Sequence, residues 1–132
     1  AAAASVLHAV APDGPPVYSL PHLFAQAAVA DVLLREKLPA WGVAANGLGV
    51  AAAASEGRRF VPWRELTAEG CDAKVQFTPL KPLRRVIEEA DANFQGDVSM
   101  LLDVCRQSIY FESPDDILTC LDALAADPDV CL

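Results

Sequence analysis

The segment from Lys74 to Ala90 constrains the fold more than any other part of this 132-residue chain. Residues 74–77 alternate as a strand does, Thr78 is placed to cap a helix, and Pro79 suits the first helical turn. Apolar side chains then recur at spacings of three and four, which predicts one buried stripe made of Leu80, Leu83, Val86, Ile87 and Ala90. The change of period predicts a strand that leads directly into an amphipathic helix.

The rest of the second half, residues 91–132, is also predicted to contain helices and strands in turn. Asp97 is placed to cap a helix with Met100, Leu101, Val104 and Cys105 inward, and residues 107–112 read as a strand. Residues 113–116 form a helix start, Asp127 and Pro128 end that helix, and its predicted buried stripe is Ile117, Leu118, Leu121 and Leu124. Residues 130–132 resemble the start of a strand. The order β-α-α-β-α-β predicts an α/β or α+β fold, with helices packed on a small mixed sheet.

The first half is rich in alanine and predicts a mainly helical region after an extended arm. Residues 1–18 carry the arm, Ser19 is a helix N-cap, and the helix over residues 20–38 ends before Pro39. This helix is apolar on more than one side, so we expect it to be buried in a core or against another protein. We expect three regions: 1–18, 19–73 and 74–132.

Residues 41–55 leave two interpretations open. Residues 47–52 match the alanine form of the dinucleotide-binding fingerprint, but the same glycines and alanines suit a turn or a close-packing segment. Residues 58–63 then suggest a short edge strand. The apolar stretch is too short for a spanning helix, so we predict no membrane span.

Charge and cysteine content narrow the function classes. A net charge of −8 argues against a nucleic-acid or anionic-membrane binder. The four cysteines form no CxxC pair, so zinc is not expected. Cys105 and Cys120 lie among apolar positions, which favours reduced core residues and a reducing intracellular compartment, either cytoplasm or an organelle matrix or stroma. Because the chain starts with Ala1 and ends on an incipient strand, we expect a processed chain or part of a longer one.

Basic residues cluster at one place. Lys74, Lys81, Arg84 and Arg85 are four of the ten basic residues, and Arg106 is the only one that follows. In the helix after Pro79 the bases come first and the acids last, opposite to the preference of the helix dipole, which favours a functional anion site. The alternative is a solvated face on which the two arginines pair with Glu88 and Glu89.

The residues of this segment resemble the synthetase-like, nucleotidyltransferase-type domains of the RelA/SpoT group. The resemblance covers about residues 74–132 and lies in residues 77–85, in Gly96 and Asp97, in residues 102–111 and in the helix that ends near Asp127. It implies a phosphate-binding set made of Lys81, Arg84, Arg85 and Arg106, with Lys81 and Arg85 facing triphosphate oxygens. It also implies that Asp103 is a magnesium ligand. The alternatives are an exposed helical acid for Asp103 and a helix C-terminal base for Arg106.

The resemblance covers only half of the family's site. The later block, a basic strand with a Gly-Tyr signature and a second acid, would lie beyond Leu132, and the spacing from the aspartate to the arginine also differs. We therefore assign no catalytic residue and no cofactor, and expect a non-catalytic accessory subunit that docks on other protein subunits through the arm and helix 20–38. The alternatives are a fragment of a Mg-dependent pyrophosphokinase or nucleotidyltransferase, and a module that binds a nucleotide or another anion.

Overall fold

A computed structural model of the chain describes residues 16–53, 57–71 and 74–130. The chain divides into a first unit, Ala1–Leu33 with Pro79–Arg106, and a second unit, Leu34–Thr78 with Gln107–Leu132. The described part contains four α-helices and a three-stranded sheet, which confirms the α+β class and a helical first half. The three predicted regions remain a prediction, and the arm lies mostly outside the described residues.

The elements follow one another in this order: α1 (Leu20–Ala44), β1 (Leu48–Ala53), β2 (Gly57–Pro62), α2 (Trp63–Leu66), β3 (Lys74–Val75), α3 (Leu83–Phe94), a 3-10 helix (Val98–Met100) and α4 (Pro114–Ala126).

Helix α1 begins as predicted and ends later than predicted. The N–H of His22 donates to Oγ of Ser19 at 3.4 Å, so the N-cap prediction is confirmed. The predicted end before Pro39 is wrong, because the helix continues to Ala44. A proline inside a helix costs about 3 kcal/mol. Burying an indole such as that of Trp41 contributes roughly 4–6 kcal/mol, which offsets that cost.

The core of the first unit lies between α1 and α3. Its buried apolar residues are Val17, Leu23, Ala27, Val86, Ala90, Val98, Leu101 and Val104. The predicted stripe on α3 is broader than the observed one, because Leu83 and Ile87 are exposed. Helix α3 also starts at Leu83 and not near Pro79. Pro82 disfavours helical dihedrals at the residue before it, so the chain stays extended up to that point.

The helix predicted after Asp97 is reduced to one 3-10 turn. Asp97 is its N-cap as predicted, and both the N–H and Oγ of Ser99 donate to the Asp97 carboxylate, at 3.0 and 2.6 Å. The chain is extended again at Leu101, with φ −84° and ψ 119°. After this turn the chain pairs with the segment before α3, where the N–H of Lys81 donates to the carbonyl of Val104 at 2.9 Å, so a contact with a distant segment replaces further intrahelical bonds.

The sheet of the second unit is antiparallel throughout, whereas a mixed sheet was predicted. Strand β1 lies in the centre and pairs with β2, with Val50 opposite Phe60, and with β3, with Ala51 opposite Val75. The predicted edge strand is therefore confirmed as β2. The strand predicted for residues 107–112 is reduced to one bridge between Tyr110 and Leu48.

The dinucleotide-binding interpretation of residues 47–52 is wrong. Gly49 lies within β1, and an antiparallel strand follows, whereas the fingerprint requires a helix. A Cβ atom on Gly49 would lie 2.7 Å from Cδ1 of Leu66 and 3.0 Å from Cε2 of Trp63. The close-packing interpretation of these glycines is the one that the structure supports.

Helix α4 confirms its predicted ends but not its predicted buried face. Oγ of Ser113 accepts from the N–H of Asp115 at 3.2 Å, Pro114 opens the helix, and Asp127 follows its last residue. Cys120 is the buried residue, whereas Ile117, Leu118 and Leu121 are substantially exposed. The strand predicted from Val130 lies mostly outside the described residues.

The second unit has two small hydrophobic cores. One contains Leu38, Ala51, Val61, Trp63 and Leu66, and the other contains Trp41, Ala45 and Cys120.

The cysteines Cys71, Cys105 and Cys120 are free thiols. Among the helices of the described residues, none has the length and apolar content that crossing a membrane requires.

Candidate functional site

Lys81 is the centre of the predicted phosphate-binding set, and the structure buries it. The residue precedes Pro82, is therefore extended, and donates its N–H to the carbonyl of Val104 at 2.9 Å. Only 6% of its surface is exposed, whereas the sequence predicted an outward side chain. Its ammonium donates to both carboxylate oxygens of Asp103 at 2.9 Å and to Glu89. The charge that was expected to face a phosphate is thus held inside the protein.

The two carboxylates keep this lysine protonated. Burial disfavours its charged form, but the hydrogen bonds to Glu89 and Asp103 outweigh burial and raise the pKa of Lys81 above its ordinary value. A buried ammonium with two carboxylate partners has little attraction left for an incoming anion, because any new anion meets a charge that is already compensated.

Arg84 and Arg85 lie on the solvated side of α3. Nε of Arg84 donates to Glu88 at 2.8 Å, and Nη1 of Arg85 donates to the same carboxylate at 3.3 Å. The side chain of Arg84 is 88% exposed. The observed arrangement is therefore the alternative stated above, a solvated face with ion pairs. Glu88 accepts from both arginines.

Asp103 and Arg106 are the remaining members of the cluster around Lys81. Nη1 of Arg106 lies 3.8 Å from the Asp103 carboxylate, which also accepts from Lys81. Two cations beside one carboxylate oppose the approach of Mg²⁺. Within residues 16–53, 57–71 and 74–130, no three His, Cys, Asp or Glu side chains are grouped to hold a metal.

The surface beside this cluster is a shallow depression of about 270 Å³ on α3. Arg85 and Asn93 line it together with Glu88 and Glu89. Its two carboxylates face any ligand that Arg85 would attract, so the depression does not have the uniformly positive lining that a triphosphate needs.

A second ion-pair network was not predicted. In the second unit Nζ of Lys37 donates to Asp127 at 2.7 Å and to Asp129 at 2.6 Å, and Nε1 of Trp41 donates to Asp127 at 3.0 Å. Hydrogen bonds from Lys37, the Asp129 backbone and Trp41 lower the pKa of Asp127, and the same carboxylates raise the pKa of Lys37. Lys37 and Asp127 are 90 positions apart in the sequence, so no local sequence pattern predicts their contact.

These contacts define a small α+β protein in which the basic residues expected to bind phosphate are paired with acids of the same chain. No protein-family model, no curated protein and no solved structure matches this chain. The resemblance to the RelA/SpoT group stays a prediction.

Proposed function

We propose that this chain is a non-catalytic accessory subunit that docks on a larger protein assembly through α1, and that its second half is a degenerate RelA/SpoT-like fold. The observation that carries the proposal is an uncharged, exposed face on the part of α1 that belongs to the first unit. We call it the outer face of α1; it consists of Ala25, Ala28, Val29, Val32 and Leu33.

The outer face follows helical spacing and is apolar over its whole length. Val29 is 64% exposed, and Val32 and Leu33 are each 58% exposed. The opposite face, with Leu23 and Ala27, is buried in the core of the first unit. Within residues 16–53, 57–71 and 74–130, this part of α1 is covered on one face only, and an apolar helix face that remains exposed is suited to a protein partner.

The expected gain from covering this face is substantial. Full burial of one valine or leucine side chain contributes roughly 1.5–3 kcal/mol. Since more than half of each of the three large side chains is exposed, covering them contributes roughly 3–5 kcal/mol in total. That contribution is typical of the apolar part of a specific interface.

The competing functions have less support. A pyrophosphokinase or a nucleotide-binding module needs cations that are available to phosphate, whereas Lys81, Arg84 and Arg85 are each paired with carboxylates. We therefore expect no Mg-dependent binding of nucleoside triphosphate, and no change in nucleotide titrations between the unaltered chain, Lys81→Ala and Asp103→Ala.

The docking proposal is tested with a matched pair of leucines. Leu33 on the outer face and Leu83 on α3 have similar exposure, 58% and 52%. In native extracts of the source cells, we expect the tagged chain to migrate well above its own 14.0 kDa. Leu33→Lys should release it to the mass of the free chain, and Leu83→Lys should not. Migration of the unaltered chain at its own mass, or Mg-dependent nucleotide binding, would contradict the proposal.

A further inference from the structure

Strand β2 lies at one edge of the sheet, and the hydrogen bonds of β1 show which of its backbone groups face outward. The N–H of Leu48 donates to the carbonyl of Tyr110 at 2.8 Å. The carbonyl of Val50 accepts from the N–H of Gln76, next to β3, at 2.7 Å. Leu48 and Val50 therefore bond on the side of β1 that faces away from β2. Because Phe60 lies opposite Val50, the two residues do not bond to each other.

Arg58 and Phe60 consequently direct their N–H and carbonyl groups away from the sheet, because successive residues of a strand bond on alternate sides. Among the described residues, no backbone group of another segment hydrogen-bonds to either of them. Residues 57–60 are all exposed. Two outward donor–acceptor pairs on an exposed edge are the arrangement to which an extended chain adds as a further strand.

The side chains along this edge favour an acidic strand. Arg58 and Arg59 are exposed neighbours on β2. Arg84 and Arg85 share a glutamate, whereas in the described part of the chain no acid forms an ion pair with Arg58 or Arg59. Since the two side chains project from opposite faces of the sheet, carboxylates on both faces of an added strand have a cation beside them.

An aromatic pair lies next to the arginines. Val61 is buried in a core of the second unit, so the side chain of Phe60, one residue earlier, projects from the opposite, outer face of the sheet. Phe60 is 57% exposed, and its ring meets that of Tyr110 edge to face, with centroids 4.8 Å apart. The pair offers an apolar surface to one side chain of an added strand, because neighbours across two strands on one face are in contact.

We propose that this edge, called here the β2 edge and consisting of Arg58, Arg59, Phe60 and Tyr110, binds an extended acidic segment of a partner protein as a fourth strand. Backbone hydrogen bonds to Arg58 and Phe60 hold the segment, its carboxylates face the two arginines, and one aromatic or aliphatic side chain packs on the aromatic pair. The proposal goes beyond docking through the outer face of α1 and uses none of its residues.

Two other occupants fit this edge less well. A second copy of the chain, paired antiparallel through its own β2 edge, brings the arginines of both copies together, and like charges on facing strands are destabilising. A nucleic acid is attracted by the two arginines but repelled by a chain with a net charge of −8. An acidic peptide strand satisfies both the backbone groups and the local charge.

The test uses the full chain and a labelled synthetic peptide of about seven residues, the length of an ordinary strand. Its sequence is Thr-Val-Tyr-Glu-Glu-Val-Thr, and a matched peptide has lysines in place of the two glutamates. Fluorescence anisotropy measures Kd for both peptides. We expect the glutamate peptide to bind at least about tenfold more tightly than the lysine peptide at low salt.

N-methyl groups on the peptide distinguish strand addition from attraction between charges alone. Two further glutamate peptides are methylated on alternate backbone nitrogens, one on the odd residues and the other on the even residues. In a strand the two sets of N–H groups point to opposite sides, so one set faces β2 and the other faces solvent. We expect one pattern to weaken binding by more than about tenfold and the other to change Kd by less than about twofold.

A second pair of adjacent arginines provides the matched control. Arg58→Gln combined with Arg59→Gln should weaken binding of the glutamate peptide by about fivefold at low salt and by less at high salt. Arg84→Gln combined with Arg85→Gln changes the net charge equally and should change Kd by less than about twofold. Phe60→Thr keeps a residue that suits a strand, and it should weaken binding by about five- to tenfold. Circular dichroism checks that each variant is folded.

Each other outcome decides against the proposal. Absence of binding would exclude an acidic strand at this edge. Equal effects of the two methylation patterns would remove strand addition, and equal effects of the two double variants would place the peptide elsewhere. A single-stranded oligonucleotide that binds more tightly than the peptide would make phosphate the ligand, and a dimer that dissociates when the peptide is added would make a second copy the occupant. Leu33→Lys should leave peptide binding unchanged, so failure of this proposal and failure of the docking proposal are distinguishable.

Discussion

The substitution Lys81→Met distinguishes a structural lysine from a phosphate ligand. Methionine keeps most of the aliphatic volume of the side chain and removes the ammonium that donates to Glu89 and Asp103. A hydrogen bond to a charged group contributes about 1.5–3 kcal/mol when it is buried. Glu89 and Asp103 are partly exposed, with 32% and 49% of their side chains accessible, so water compensates part of the loss. We therefore expect a loss of about 2 kcal/mol in the free energy of unfolding, near thirtyfold in the folding equilibrium.

Arg84→Met is the matched control. Arg84 is also paired with a glutamate, Glu88, four residues further along the chain, but its side chain is almost fully exposed. An exposed ion pair of this kind contributes about 0.3–0.5 kcal/mol at most, so the control should be nearly as stable as the unaltered chain. Urea unfolding followed by circular dichroism measures both variants, and a cycle with Glu89→Gln should give a coupling of about 1 kcal/mol.

The pH dependence adds a second measurement for Lys81. Because its pKa is raised in the folded protein, its stabilisation is fully present below the ordinary lysine value of 10.5 and is lost as pH rises through the folded value. The difference between the unaltered chain and Lys81→Met should therefore be constant from pH 7 to about pH 9 and shrink above about pH 10.5. An unchanged or increased stability of Lys81→Met at pH 7 would refute the reasoning, since removing a solvent-facing lysine beside two arginines relieves repulsion.

Two further predictions concern the second unit. Asp127→Asn should lower the melting temperature at pH 7 but not in strong acid, because the pKa of Asp127 is lowered below 3.8 and its contribution disappears as pH falls through the folded value; equal melting temperatures of both proteins at pH 7 would contradict the network with Lys37 and Trp41. Cys71 is exposed, whereas burial raises the pKa of the Cys120 thiol, so iodoacetamide should modify Cys71 rapidly and Cys120 only on unfolding. Mass spectrometry of digested protein reads both rates, and rapid native modification of Cys120 would show that α4 opens readily.

Local signals in the sequence were sufficient for the N-caps of three helical elements and for the fold class. Ser19, Asp97 and Ser113 cap elements where the sequence places them, because a cap is formed by contacts within three residues. The edge position of β2 was also predicted from local chemistry. The predicted start of α3 near Pro79 was wrong, because Pro82 keeps the residue before it extended and the helix begins at Leu83. The end of α1 was wrong because Pro39 acts locally, whereas the burial of Trp41 that offsets it depends on residues distant in the chain.

The candidate site shows the same difference between what local sequence determines and what tertiary packing determines. The sequence by itself determined that Lys81, Arg84, Arg85, Asp103 and Arg106 lie within one stretch of alternating elements. Only the tertiary structure decided which of them are buried and paired: Lys81 contacts Asp103, twenty-two residues away, and Glu89 of α3. Local sequence patterns record spacing along one element, whereas burial and charge compensation depend on which distant segment packs against it. An apolar groove of the second unit, lined by Leu38 and Trp41 of α1 and by Leu121 of α4, likewise combines helices separated by some seventy residues, so no pattern within either helix predicts it.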